Sequence, residues 1–206
     1  MNDNYIYIIF SATPSRIGRT IRFVVREPYN HVSISLDEEM ENMFGFARRH
    51  YNTPFWGGFV RESLSRYHIG TESADVCICK LPVTAQQFKQ TEALLNQMQI
   101  SSNKYIYNYI SAISSLIHKR VQVKDAYTCV EFCVHILKNL GFEVTEKEYY
   151  TVCGLQKQLS PYIHYTGKMP LPVKPDTDYL SRQPAVMGMI VSCRDILRLI
   201  PRLFHK

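Results

Sequence analysis

The stretch "KDAYTCVEFCVHILKNLGF" (residues 124–142) places two cysteines four apart, a glutamate and a histidine on one apolar run. Thr128 and Glu131 form the T-x-x-E signature of a capping box, and Tyr127 and Phe132 occupy the two positions of a hydrophobic staple. Both signals predict a helix that begins after Thr128, and Gly141 supplies its stop. Cys129 is then the first helical residue, where the positive end of the helix dipole and unpaired N–H groups favour a thiolate. Cys133 lies one turn further in, beside Val130, Val134 and Leu137, and reads as a small buried hydrophobe.

A nucleophilic thiolate needs a base, most often histidine. Of seven histidines, His135 shares the helix but points away from Cys129, His118 ends the preceding segment, and His205 lies at the terminus. His50, His68 and His164 fall in expected loops. His31 differs. In "HVSISLD" (31–37) Val32, Ile34 and Leu36 alternate with His31, Ser33 and Ser35, so the histidine heads a strand and shares a face with small serines against which a helix end can pack.

The rest of the chain supplies a setting. "YIYIIF" (5–10) reads as a buried strand, and "TPSRIGRTIRFVVRE" (13–27) as a helix closed by Pro28. That helix gathers Ile17, Ile21, Val24 and Val25 on one side and Arg16, Arg19, Arg22 and Arg26 on the other, either a solvated face or an anion-facing one. "NMFGFARR" (42–49) makes a hairpin with the His31 strand, "FWGGFVRES" (55–63) is a third strand, and "ADVCICKLPV" (74–83) alternates Val76, Ile78 and Leu81 against Cys77 and Cys79. Helices are expected over 84–99, capped by Thr84, and over 104–119, on the spacing of Ile106, Ile110, Ile113 and Ile117. The proline-rich run 160–184 reads as an ordered surface loop, followed by an amphipathic helical end. Strands first and helices after, mostly antiparallel, indicate one α+β domain.

With Cys129 and His31 paired, "PYNHVSISLD" followed about a hundred residues later by "AYTCVEFCVHIL" resembles the circularly permuted papain-like hydrolases. This is the YiiX-like branch of the NlpC-type superfamily, to which lecithin:retinol acyltransferase-like enzymes are related. The resemblance spans residues 5–140 and implies an antiparallel sheet packed against a helix with Cys at its N-terminus. It implies a catalytic domain over 1–159, with 160–206 a Pro-rich wrap and C-terminal helix packed on it. Cys129 would be the nucleophile and His31 the general base. The family orients its imidazole with a third polar residue on the strand after the histidine, but "NMFGFARR" offers no His, Asn or Glu at its centre. Glu62 is the substitute orienter, with Asn42 behind it, and a Cys–His dyad is the alternative.

The function expected is a thiol hydrolase acting on an amide, peptide or thioester through a Cys129 acyl-enzyme. The alternatives are a lipid acyltransferase or phospholipase-like enzyme using the same pair, and a non-catalytic binding module. Substrates implied are a peptide, glycopeptide or acyl compound, with no cofactor. Cys77-x-Cys79 with His68 or His50 supplies zinc-ligand types but lacks closed-site spacing. The net charge of +6 favours anionic surfaces in general, and nucleic acid is not expected. Arg194, Arg198, Arg202 and Lys206 recur every four residues beside Ile196, Leu199 and Leu203. Their helix either touches an anionic membrane peripherally or docks its apolar side on the core, with Pro201 interrupting it. No export signal or spanning segment is recognisable, so a cytoplasmic location is expected, with membrane association as the alternative.

Overall fold

The computed structural model of the protein describes residues 4–53, 55–145 and 150–204. His205 and Lys206 lie outside them. The chain is mixed α+β. Strand β1 (Asn4–Ala12) is followed by α1 (Arg16–Val25), β2 (His31–Ser35), β3 (Met43–Arg48) and β4 (Gly57–Glu62). A 3-10 turn at Leu64–Tyr67 leads into the small hairpin β5 (His68–Ile69) and β6 (Glu72–Ser73), then β7 (Asp75–Val83) and α2 (Ala85–Ile100). The second half runs β8 (Ile106–Tyr107), α3 (Tyr109–Ser114), β9 (Ala126–Tyr127), α4 (Cys129–Asn139) and α5 (Val152–Gln158). It ends with β10 (Ile163–Lys168), α6 (Thr177–Leu180) and α7 (Ala185–Leu203).

One sheet takes the order β10-β7-β1-β2-β3-β4-β8-β9, antiparallel except for the β8–β9 pair. Register assigns its faces. Ile8, Ile34, Phe44 and Cys79 lie in one row, and this face packs with Phe132, Cys133, Ile136 and Leu137 of α4 into the main core. The opposite face carries Tyr7, Ile9, Met43 and Ile78, covered by Tyr67, Met40 and Met169. Both faces are therefore buried, which is why β1 reads as a continuous apolar run.

Several expectations need correction. Cys77, Cys79 and Leu81 share the α4 face, whereas Val76 and Ile78 point the other way, because strict alternation holds along β7. The helix expected over 104–119 is divided. Ile106–Tyr107 pair with β9, Asn108 caps α3 by accepting from the Ser111 amide, and a 3-10 turn follows at Ser115–Ile117. The wrap expected over 160–184 contains β10, which pairs along β7 at the sheet edge, so His164 is on a strand. His68 likewise heads a short strand.

The two basic amphipathic helices also differ from expectation. Helix α1 buries only Gly18, whose Cβ would collide with Thr13, and leaves Ile21, Phe23 and Val24 exposed. Helix α7 runs through Pro201 to Leu203 and buries Gly188, Val191, Ser192, Asp195 and Leu199. Val186, Met189, Ile190, Leu197, Ile200 and Phe204 face outward. The docking side mixes both kinds of residue: Leu199 and Leu203 pack on Ile106, Val123 and Ala126, while Gly188 admits Thr53 and Asp195 holds Arg194 and Arg198. Among the described residues no helix is long and apolar enough to cross a membrane.

Candidate functional site

Helix α4 starts where the capping box places it. The Glu131 amide donates to Thr128 Oγ1 at 3.2 Å, and the Thr128 amide donates to Glu131 Oε2 at 2.8 Å. The other carboxylate oxygen of Glu131 accepts from Ser111 Oγ at 2.6 Å and Arg120 Nε at 3.3 Å, so this buried acid is fully occupied by structural work. Tyr127 and Phe132 both pack on Phe46, with ring centroids 5.3 Å away in each case. Cys129 is the first helical residue, 5% exposed, and Cys133 is completely enclosed. Burial pushes the Cys133 thiol well above its ordinary range, with the nearby Cys129 and Glu62 adding to the effect.

The sheet lets a residue from its far face meet this helix end. The β1–β2 ladder extends to the pair Ser11↔His31, but β2 and β3 pair only at Ile34↔Phe44 and Ser35↔Met43. The two strands part before His31, and α4 packs against both of them. Cys129 belongs to the α4 face, whereas the cross-strand partners of His31, Ser33 and Ser35 place their side chains on the other. The thiol and the imidazole meet across this gap.

His31 Nε2 lies 2.9 Å from Glu62 Oε1, and Cys129 is near enough to help raise the pKa of the ring. Glu62 closes β4 and is 3% exposed. Its second oxygen accepts from Tyr67 Oη at 2.6 Å, and Tyr67 Oη in turn lies 2.8 Å from Ser33 Oγ. Gly45 explains how a carboxylate two strands away reaches the ring. A Cβ at position 45 would collide with Glu62 Oε1, so the glycine in "MFGFAR" leaves the space that the carboxylate fills. The strand adjoining the histidine therefore contributes a vacancy, and the next strand contributes the acid. Asn42 is occupied elsewhere, accepting from Arg61 Nη2 at 2.6 Å.

The charges reinforce the arrangement. Burial alone would lower the His31 pKa, but the Glu62 carboxylate, with the nearby Cys129 adding to it, overrides this and raises it to about 10. Burial likewise opposes ionisation of Glu62, and His31 outweighs it, so the Glu62 pKa falls below its ordinary value. Burial and the Glu62 charge push the Tyr67 hydroxyl well above its usual range, keeping it a donor. The sequence reading missed Tyr107. Burial, followed by its proximity to Cys129, raises the pKa of its hydroxyl well above the ordinary value. The period-2 pattern of "YIYNY" (105–109) was the signal that could have found it.

Four other histidines are engaged elsewhere. His135 stacks near Tyr127, His68 faces the Leu64 carbonyl, His164 pairs with Glu38, and His50 faces the Asp178 carbonyl. Among the described residues no group of three or more His, Cys, Asp or Glu is placed to hold a metal ion. No family model, no curated protein and no solved structure matches this chain.

Proposed function

We propose that the protein is a cysteine hydrolase of the permuted papain-like type, cleaving an amide, peptide or thioester bond. The observation that carries this reading is the single imidazole of His31, held by Glu62 at 2.9 Å and close to Cys129 at a helix N-terminus. In this reading Cys129 is the nucleophile and His31 its proton-transfer partner. The sulfur attacks the substrate carbonyl carbon, forming an S–C bond and an oxyanion. The Cys129 amide, which has no acceptor within the first helical turn, and the Tyr107 hydroxyl are the donors available to that oxyanion. His31 gives its proton to the leaving amine or thiol as the C–N or C–S bond breaks. It then takes a proton from water, whose oxygen attacks the acyl carbon and releases the acid and the thiolate. Glu62 fixes the ring and Tyr67 fixes Glu62.

The test is a covalent one. Incubation with p-nitrophenyl acetate, followed by intact mass and peptide mapping, is expected to show acetyl on Cys129 in the wild type and none in Cys129→Ser. Acetyl only on the exposed Cys193, with Cys129 unmodified, would favour a non-catalytic binding module.

The outward apolar side of α7, bordered by Arg194, Arg198 and Arg202, favours a second reading in which the acyl donor is a lipid. Flotation with phosphatidylglycerol vesicles tests it. The wild type is expected to float and Leu197→Glu to remain in solution; a wild type that stays in solution would remove this reading and leave the soluble hydrolase.

A further inference from the structure

We propose that a second site, a cavity at the open edge of β4, binds a phosphate-type anion. Strand β4 pairs with β8 only at Gly58↔Ile106, so its outer edge from Phe59 onward lacks a strand partner there. Beside it lies a cavity of about 840 Å³ bounded by β4, the β3–β4 connection, the end of α2 and α7. Five arginines, Arg49, Arg61, Arg66, Arg194 and Arg198, line it against two aspartates, a surplus of three positive charges with His50 neutral.

Within the lining this surplus is not neutralised, although Arg66 also acts on the Glu62 and Asp176 carboxylates outside it. Asp195, 3% exposed, is already shared between Arg194 at 3.2 Å and Arg198 at 3.3 Å. Arg49 donates to the Ser102 carbonyl at 3.0 Å and Arg66 to the Arg48 carbonyl at 2.6 Å, partners that carry dipoles and no charge. Arg66 Nε is buried with no hydrogen-bond partner among the described residues, while its guanidinium lies 4.2 Å from the Tyr179 ring centroid. Burial lowers the Arg49 pKa; Asp195 opposes this, and the charges of Arg66, Arg194 and Arg198 add to it. Five guanidinium groups share this space with two carboxylates, one of them already committed to Arg194 and Arg198. An anion with several oxygens satisfies forked donors at once and relieves their repulsion, which suits phosphate oxygens best. Trp56, its ring 5.0 Å from that of His50, adds a flat wall for the group that bears the phosphate.

The ligand of this site is not the substrate assigned to Cys129, although Arg66 also lowers the pKa of Glu62. The ligand class is a phosphorylated compound, either soluble or a lipid with an exposed phosphate headgroup. Calorimetric titration with inorganic pyrophosphate, at ionic strength fixed with sodium chloride, is the test. Saturable binding is expected in the wild type and in Cys129→Ser. It should weaken about tenfold in Arg49→Gln and in Arg194→Gln, each of which loses a charge-assisted fork. Arg194 is exposed, so its variant keeps the test open if Arg49→Gln fails to fold. Vesicles of phosphatidylcholine with phosphatidic acid then distinguish the sources. Flotation reversed by pyrophosphate identifies a lipid headgroup, and pyrophosphate binding without flotation identifies a soluble ligand. The absence of saturable heat in the wild type, or equal affinity in wild type and Arg194→Gln, would overturn the site.

Discussion

Helices α4 and α7 both carry apolar residues at helical spacing, yet they bury very different shares of them. Helix α4 buries its apolar side against the sheet and satisfies its polar start with Thr128, Glu131 and Ser111. Helix α7 buries Val191 and Leu199 together with Gly188, Ser192 and Asp195, and turns Val186, Ile190 and Leu197 outward. Periodicity states that a helix has two sides. Which side meets the protein depends on what the neighbouring elements offer: aromatic rings beneath α4, and Thr53 with a cluster of guanidinium groups beneath α7.

The contrast can be broken by substitution and chemical denaturation. The largest losses are expected beneath α4. Phe132→Ala should cost about 3–5 kcal/mol, since a fully buried ring leaves a cavity among Phe46 and Phe59. Glu62→Gln should cost a comparable amount, about 3–5 kcal/mol, because it strands a buried imidazolium without its carboxylate. Thr128→Ala removes one half of the capping box and should cost about 1 kcal/mol. Leu197→Ser, on the outward side of α7, should stay within about 0.5 kcal/mol of the wild type. A large loss there would mean that this side is covered in solution.

The His31–Glu62 pair also sets a pH window. The pKa of His31 is raised, so its contribution is fully present below its ordinary value of 6.5 and is lost as pH rises through about 10. The pKa of Glu62 is lowered, so its contribution is present above its ordinary value of 4.5 and is lost as pH falls through the depressed value. Denaturation midpoints measured across pH should therefore form a plateau between 4.5 and 6.5 and decline from 6.5 until pH reaches about 10. Glu62→Gln should remove that decline; an unaltered alkaline limb would mean that another group causes it.

These outcomes bear on how much the sequence can disclose. The start of α4 was legible because a capping box and its flanking aromatics are local, needing only residues 127–132. The strand of His31 was legible from its alternation. Glu62 could be named only as a substitute, because its approach to His31 depends on the parting of β2 and β3 and on the space above Gly45, neither of which is local. Tyr107 was hidden because the isoleucine spacing of 104–119 suggested a helix, whereas pairing with β9 holds Ile106 and Tyr107 extended. The face that α7 would bury and the arginines gathered beside β4 come from segments far apart in the chain, so no window of sequence contains them.

The central claim is that Cys129 and His31 act as a pair, and the alkylation of Cys129 tests it most directly. Iodoacetamide labelling, followed by peptide mass across pH 5–9, gives the rate at Cys129 and at Cys133 in one experiment. The account predicts fast labelling of Cys129 at neutral pH, slow labelling of Cys133, and a drop of about tenfold or more at Cys129 in His31→Ala. Equal, slow labelling of both cysteines, or a Cys129 rate untouched by His31→Ala, would contradict it.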